Sequence, residues 1–142
     1  MNDQFPITKE IFIKRLGDLC LRSGLSGLPK DEKDQHILLK SAVLLLGQPR
    51  EFTEKEINAG LDTWVKDVSQ IKTLDRVTMR RRLVDTGYLT RSPDGSRYQI
   101  TRPSPRADLF DPAIDELDIL QVIVDAREEI ARRKREHTQK RG

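Results

Sequence analysis

Apolar residues recur at helical spacing in five stretches of this chain and alternate in a sixth. The first helical stretch runs from Thr8 to Arg22, with Phe12, Leu16 and Leu19 on one face and Ile13 and Cys20 beside them. Thr8 can cap its start and Gly24 can close its end in the left-handed conformation. Residues 23–29, rich in serine and glycine and ending in proline, form a linker. The spacing predicts a second helix from about Asp34 to Leu46, with Leu39, Ala42, Val43 and Leu46 as its core stripe. Gly47 and Pro49 are its stop signals.

The third helix has the clearest start. Thr53 and Glu56 have the spacing of a capping box, in which each side chain reaches the other's backbone N–H. Phe52 and Ile57 hold the flanking positions of a hydrophobic staple. Ile57, Leu61, Trp64 and Val65 follow as one apolar face. Lys66 to Leu74 form a connection longer than the turn of the tightest helix-turn-helix motifs, with room for a helical turn of its own. A fourth helix starts at Asp75, its N-cap, and ends near Thr86 and Gly87.

Two strands come next, Tyr88–Arg91 and Arg97–Thr101, with Leu89, Tyr98 and Ile100 as their apolar positions. The segment between them contains Pro93-Asp94-Gly95. Proline presets φ, aspartate bonds its own backbone and glycine accepts positive φ, so the segment is a tight turn. Arg102 to Pro112 is a proline-bearing linker. A last helix is expected from Asp111 or Pro112 to His137. Its residues Ile119, Ile123, Ala126 and Ile130 have heptad spacing over fewer than two heptads, short of a coiled coil. Leu117, Leu120 and Val124 widen that stripe, so the helix can meet both its own domain and a partner. Residues 138–142 have the composition of a loose tail.

Helix, helix and β-ribbon in that order make the fold class mainly α with a small β-hairpin. The specific expectation is a winged helix-turn-helix with an added N-terminal helix and a long C-terminal one. Three regions follow: 1–27, an N-terminal helix and linker; 28–102, the winged-helix domain; and 103–142, a linker, C-terminal helix and basic tail.

Composition narrows the function classes. The single cysteine, Cys20, rules out an internal disulfide framework and leaves no cysteine cluster for zinc. Its apolar neighbours make it a buried, inert thiol suited to a reducing cytoplasm. No apolar run approaches the ~20 residues that span a bilayer. The net charge is +3, but it is uneven. Residues 72–102 hold 8 basic and 3 acidic groups; residues 1–71 hold 10 and 11, and residues 103–142 hold 8 and 9. The excess falls on the fourth helix and the ribbon, as a nucleic-acid face requires. A merely solvated helix surface carries arginines too.

Which arginines could meet DNA follows from helix geometry. At ~100° per residue, Met79, Leu83, Val84 and Val77 define the buried arc of the fourth helix, and Arg80 falls within it. A buried guanidinium needs a partner, and Glu56 is the first candidate, so Arg80 and Glu56 are expected to form a structural ion pair. Thr78, Arg81, Arg82 and Asp85 point the other way. Arginine can read guanine or grip phosphate, and threonine can contact phosphate or a thymine methyl. In the ribbon, Arg91 and Arg97 flank the turn and Ser96 could donate to a phosphate. The expected DNA-contact set is therefore Thr78, Arg81, Arg82, Arg91, Ser96 and Arg97.

Four motifs carry a family resemblance. They are Phe52-Thr53-Glu54-Lys55-Glu56-Ile57-Asn58; residues 75–85, Asp-Arg-Val-Thr-Met-Arg-Arg-Arg-Leu-Val-Asp; Gly87-Tyr88-Leu89; and Asp94-Gly95-Ser96-Arg97-Tyr98. Together they resemble a bacterial domain of unknown function that occurs alone or fused to helix-turn-helix regulators. The resemblance covers roughly Leu28 to Ile100. It implies a winged-helix-like fold and a link to transcription regulation, and it brings no ligand, target sequence or activity.

The leading expectation is a cytoplasmic protein that binds double-stranded DNA, with the fourth helix in the major groove and the ribbon on phosphate. A homodimer joined by the terminal helices would place two copies on two half-sites. The alternative is a winged helix that binds protein and dimerises without DNA. RNA binding is weaker, since two tyrosines and one tryptophan offer no stacking platform. No cofactor, metal or small-molecule ligand is inferred. Enzyme activity is not expected, because His36 and His137 are the only histidines and neither has a nucleophile partner or ligand cluster. The acid pairs Glu54/Glu56 and Glu128/Glu129 are explained by capping and solvated helix surface.

Overall fold

The computed structural model describes residues 5–47 and 50–141; the side chains of residues 140 and 141 are left aside. Pro49, expected to help stop the second helix, lies outside the described residues. Among the described residues the chain forms five α-helices and one three-stranded antiparallel sheet.

Helix α1 spans Lys9–Leu21, and the Thr8 hydroxyl oxygen accepts the Ile11 N–H at 3.2 Å, as a cap should. Helix α2 spans Glu32–Leu46. It begins two residues before its expected start, because Asp31 caps it by accepting the Asp34 N–H at 2.9 Å. Its buried face is also wider than the expected stripe. Ile37 and Leu38 join Leu39, Ala42 and Val43 in the core, while Leu46 is half-buried.

Strand β1, Glu51–Thr53, is an addition to the expected hairpin. Helix α3, Glu54–Thr63, has both devices its sequence announced. Glu56 N–H donates to the Thr53 hydroxyl at 3.1 Å, and Thr53 N–H donates to Glu56 at 2.9 Å. Phe52 and Ile57, the staple pair, are both buried. α3 then runs without a break into a π-helical segment, Trp64–Ser69. In a π turn the i→i+5 bond stacks Ser69 over Trp64, so Trp64, Val68 and Ser69 all reach the core. The expected connection of Lys66 to Leu74 therefore shrinks: the helical path ends only at Gln70, which has a φ of 51°. Ile71 and Leu74 plug the remaining turn.

The buried indole of Trp64 has the partner that such an N–H requires. Its Nε1 donates to Ser41 Oγ at 2.8 Å, and Ser41 donates to the Leu38 carbonyl at 2.7 Å. This chain of bonds ties α2 to the π segment.

Helix α4 spans Arg76–Asp85, and strands β2 (Leu89–Arg91) and β3 (Arg97–Ile100) form the hairpin. The sheet order is β1-β3-β2. Phe52 stands opposite Tyr98, and Leu89 opposite Ile100. Phe52, Leu89 and Tyr98 are the buried members of this face.

The last third of the chain differs most from expectation. The linker is pinned: Ile7 N–H donates to the Leu109 carbonyl at 2.9 Å, and Asp111 N–H donates to the Ile7 carbonyl at 3.0 Å. The single expected helix is two pieces. A 3₁₀ turn spans Pro112–Glu116, capped by Asp111; Leu117 is extended; helix α5 then spans Ile119–Arg141. The physical reason is burial of both Ile114 and Ile119. In one continuous helix these two side chains would stand about 140° apart. The extended Leu117 turns both to the core. α5 also continues to Arg141, into the segment expected to be a loose tail.

Gly17 brings α1 and α5 together, since a Cβ there would sit 3.1 Å from the Cβ of Ala126. Ile119, Val122 and Ile123 enter the same core as α1 and α2, whereas residues 131–139 are wholly exposed. The buried Cys20 thiol is pushed up to about 12 by desolvation, which fits an inert group. Among the described residues, no helix is long and apolar enough to cross a membrane.

Candidate nucleic-acid interface

α4 is positioned by its ends and by two buried side chains. The Asp75 carboxylate accepts the Thr78 N–H at 2.8 Å. That bond holds the Asp75 carboxyl below its ordinary value. At the other end the Thr86 hydroxyl donates to the Arg82 carbonyl at 2.7 Å, and Gly87 carries the chain into β2. Met79 and Leu83 are the fully buried residues of the helix. Val77, expected in the buried arc, is 43% exposed, and Val84 is half-buried. The apolar face of α4 is thus narrower than its sequence suggests.

Arg80 does turn inward, but the expected pair with Glu56 is not formed. Arg80 Nη1 donates to Asn58 Oδ1 at 2.5 Å and lies 3.4 Å from Glu54 Oε1. Glu56 is occupied elsewhere: it accepts the Thr53 N–H and pairs with Arg50 at 3.2 Å. The Thr53 N–H, then Arg50, hold its carboxyl below the usual range. Glu54, Glu56 and Asn58 lie within five residues of α3, and the cap holds the middle one, so Arg80 meets the other two.

Thr78, Arg81, Arg82 and Asp85 are exposed on the far side of α4. Among the described residues, no carboxylate lies within ion-pair distance of Arg81 or Arg82. Arg82 Nη2 donates instead to the neutral amide oxygen of Gln35 on α2, at 2.9 Å. Arg76 is committed, pairing with Asp62 on α3 at 2.8 Å.

The hairpin tip is held by Asp94. Its Oδ1 accepts from the Ser92 hydroxyl at 2.7 Å, the Ser96 N–H at 3.0 Å and the Ser96 hydroxyl at 2.8 Å. Three donors, with the Ser92 hydroxyl the largest influence, hold the Asp94 carboxyl down to about 2. The expected role of Ser96 as a phosphate donor is corrected by this geometry, because its proton is directed at Asp94. Gly95 has a φ of 77°, and a Cβ there would stand 2.5 Å from Arg91 Nη2. The turn is therefore bare where Arg91 crosses it. The Arg91 guanidinium lies 5.9 Å from the centre of the Tyr98 ring, within cation–π range. Arg97 is exposed and sits loosely, 3.9 Å from Glu51.

The structure thus brings Arg81, Arg82, Arg91 and Arg97 onto exposed positions of two consecutive elements, α4 and the hairpin that follows it. Sequence reasoning missed Gln35 as the neighbour of Arg82 and Glu51 as that of Arg97, as it missed Asn58 beside the inward Arg80. Gln35 lies 47 residues from Arg82, and no local pattern could connect them.

A family model for uncharacterized proteins conserved in bacteria (DUF2087) matches residues 24–100, the stretch that holds α2, α3, α4 and the sheet. No curated protein and no solved structure matches the chain.

Proposed function

We propose that this chain, which belongs to the bacterial family DUF2087, is a winged helix-turn-helix protein that binds double-stranded DNA and regulates transcription. In this reading α3 and α4 are the helix pair, and β2 and β3 are the wing, with β1 added at the wing's far edge. The observation that carries the reading is the state of the guanidinium groups on α4. Arg81 is exposed with no carboxylate in range among the described residues, and Arg82 holds only an amide.

α4 enters the major groove. Arg81 and Arg82 reach guanine edges or phosphates, and the Thr78 hydroxyl lies within the same contact strip. Arg91 and Arg97 grip the backbone beside the groove; Arg97 exchanges a loose partner for a phosphate. Asp75 and Asp85 face the same region, and their repulsion of phosphate limits generic binding and favours a chosen orientation. The protein works in the bacterial cytoplasm as a binder rather than a catalyst. His36 is engaged with the Tyr88 hydroxyl at 2.8 Å, and His137 is exposed on α5.

A second reading has its own support. Leu120 and Val124 are 39% and 42% exposed, one turn apart on α5. They suit a homodimer contact, either on DNA or in a protein-binding module that does not touch DNA. The variant that tests this contact must spare the core; deleting the chain from Asp111 onward would strip out Ile114, Ile119 and Ile123. Leu120→Ser/Val124→Ser is the safer variant.

Selection from a random duplex pool with the purified chain tests the main reading. Retention at moderate salt with enrichment of one motif is the expected result. Absence of retention, with a dimer mass that Leu120→Ser/Val124→Ser abolishes, would replace it with the protein-binding module.

A further inference from the structure

A cleft of about 700 Å³ opens between α2, the end of β3 and the 3₁₀ turn at Pro112–Glu116. Its volume falls in the range of small-molecule sites, about 300–1,000 Å³. Its wall holds a charged side chain in an unusual place. Lys40, on α2, is only 6% exposed. A buried ammonium requires a counter-charge. Lys40 Nζ pairs with Asp115 Oδ1 at 2.7 Å and lies 5.8 Å from the centre of the Phe110 ring. Among the described residues, Asp115 is its one carboxylate partner.

The two members of this pair are not equivalent. Lys40 is fixed in the wall of the cleft, whereas the Asp115 side chain is 60% exposed on a turn of five residues. Released from Lys40, Asp115 would meet water at once. Lys40 would be left buried and unanswered. An anion that enters the cleft can therefore take the place of Asp115, and it loses little by doing so.

We propose that this cleft binds a small organic monocarboxylate with an apolar body. The ligand's carboxylate replaces Asp115 on Lys40 Nζ, and its body lies against Val43, Leu44, Ile100 and Leu117. Besides the Lys40–Asp115 pair the lining carries the cation Arg102 and the acids Asp111 and Glu116, an excess of one negative charge that sets the charge of the ligand. Asp111 is held as the cap of the 3₁₀ turn, accepting the Ala113 N–H at 3.0 Å, and Glu116 is exposed at the rim. Both repel a multiply charged anion such as a phosphate ester, and both tolerate a single carboxylate in contact with Lys40. The proposal goes beyond the DNA-binding reading and stands without it.

The test is an NMR titration of the full chain with sodium benzoate, sodium hexanoate and, as a neutral isostere of the first, benzamide. Benzoate or hexanoate should perturb the amides of Lys40, Phe110 and Leu117, and benzamide should bind at least about tenfold more weakly than benzoate. Asp115→Asn removes the competing carboxylate at an exposed position, so benzoate should bind it about tenfold more tightly than the wild type. Lys40→Met should abolish the response. Should that variant fail to fold, the Asp115→Asn comparison decides alone. Binding of benzamide equal to benzoate, unchanged or weaker benzoate binding in Asp115→Asn, or no response to either carboxylate overturns the proposal.

Discussion

Two helices of this molecule are rich in arginine and answer it differently: α5 pairs arginines along its own length, whereas α4 sends Arg76 and Arg80 across to α3 and leaves Arg81 exposed. α5 carries Glu129 ahead of Arg132 and Arg133, and the three form ion pairs at 2.5 and 2.9 Å. Arg132 also reaches Glu136 at 2.5 Å. The Glu129 carboxyl is held below its ordinary value, first by Arg132 and then by Arg133. On α4 Arg81 precedes Asp85 by four residues and no ion pair forms between them, although Arg132 and Glu136 do pair in that same order on α5. An acid placed N-terminal to a base across one turn is the better arrangement, because it also suits the helix dipole. The contrast teaches that a count of arginines is no footprint. What marks a surface ready for phosphate is unanswered guanidinium grouped with more of its kind: α4 displays Arg81 and Arg82 one element before the exposed Arg91 and Arg97, whereas on α5 Arg127 and Arg135, also without a carboxylate in range among the described residues, have no such hairpin following them.

The helices also differ in how they are seated, and this gives the largest expected effect. α4 is fastened by Met79 and Leu83, so Met79→Ala should cost about 2–5 kcal/mol in urea unfolding. Val77→Ala on the exposed flank should stay within about 0.5 kcal/mol. Equal losses would break the account of which side of α4 faces out. Removing the cap by Asp75→Ala should lower the urea midpoint in the same experiment by less than Met79→Ala does and by more than Val77→Ala does.

A smaller effect sharpens the charge comparison. Arg132→Ala/Arg133→Ala on α5 should leave duplex affinity within about twofold, since those groups already have partners. A loss much beyond that would make α5 a second contact element and erase the distinction drawn between the helices.

The smallest effect concerns the hairpin tip. The Asp94 carboxyl is held at about 2, below its ordinary 3.8. A depressed carboxyl contributes stability above its unfolded value and loses it as pH falls through the folded one. The contribution of Asp94 is therefore complete above about pH 4 and fades toward pH 2. Carbon-detected NMR of its carboxyl should titrate near 2; a midpoint at the ordinary value would mean that the turn network does not persist in solution.

Much of the fold was legible because its signals are local. The Thr53–Glu56 box, the Phe52–Ile57 staple and Pro93-Asp94-Gly95 each act within a few residues, and each formed as read. What escaped depended on distance or competition. β1 is three residues long and exists through pairing with β3, more than 40 residues on. The last helix breaks at Leu117 because the core needs both Ile114 and Ile119, a demand that periodicity alone does not express. The site followed the same rule. The helical wheel turned Arg80 inward correctly, yet its partner was settled by Glu56 being occupied by Thr53 and Arg50. Ser96 looked free until Asp94 captured it. The cleft at Lys40 was invisible, because Lys40 and Asp115 are 75 residues apart.

The central claim is that unanswered guanidinium groups on α4 meet DNA phosphates, and the salt dependence of duplex binding tests it most directly. Affinity of the wild-type chain should fall steeply with salt. Arg81→Ala/Arg82→Ala should weaken binding and flatten the log–log slope by roughly one to two units. An unchanged slope in that double variant, at unchanged affinity, would contradict the account and remove α4 from the interface.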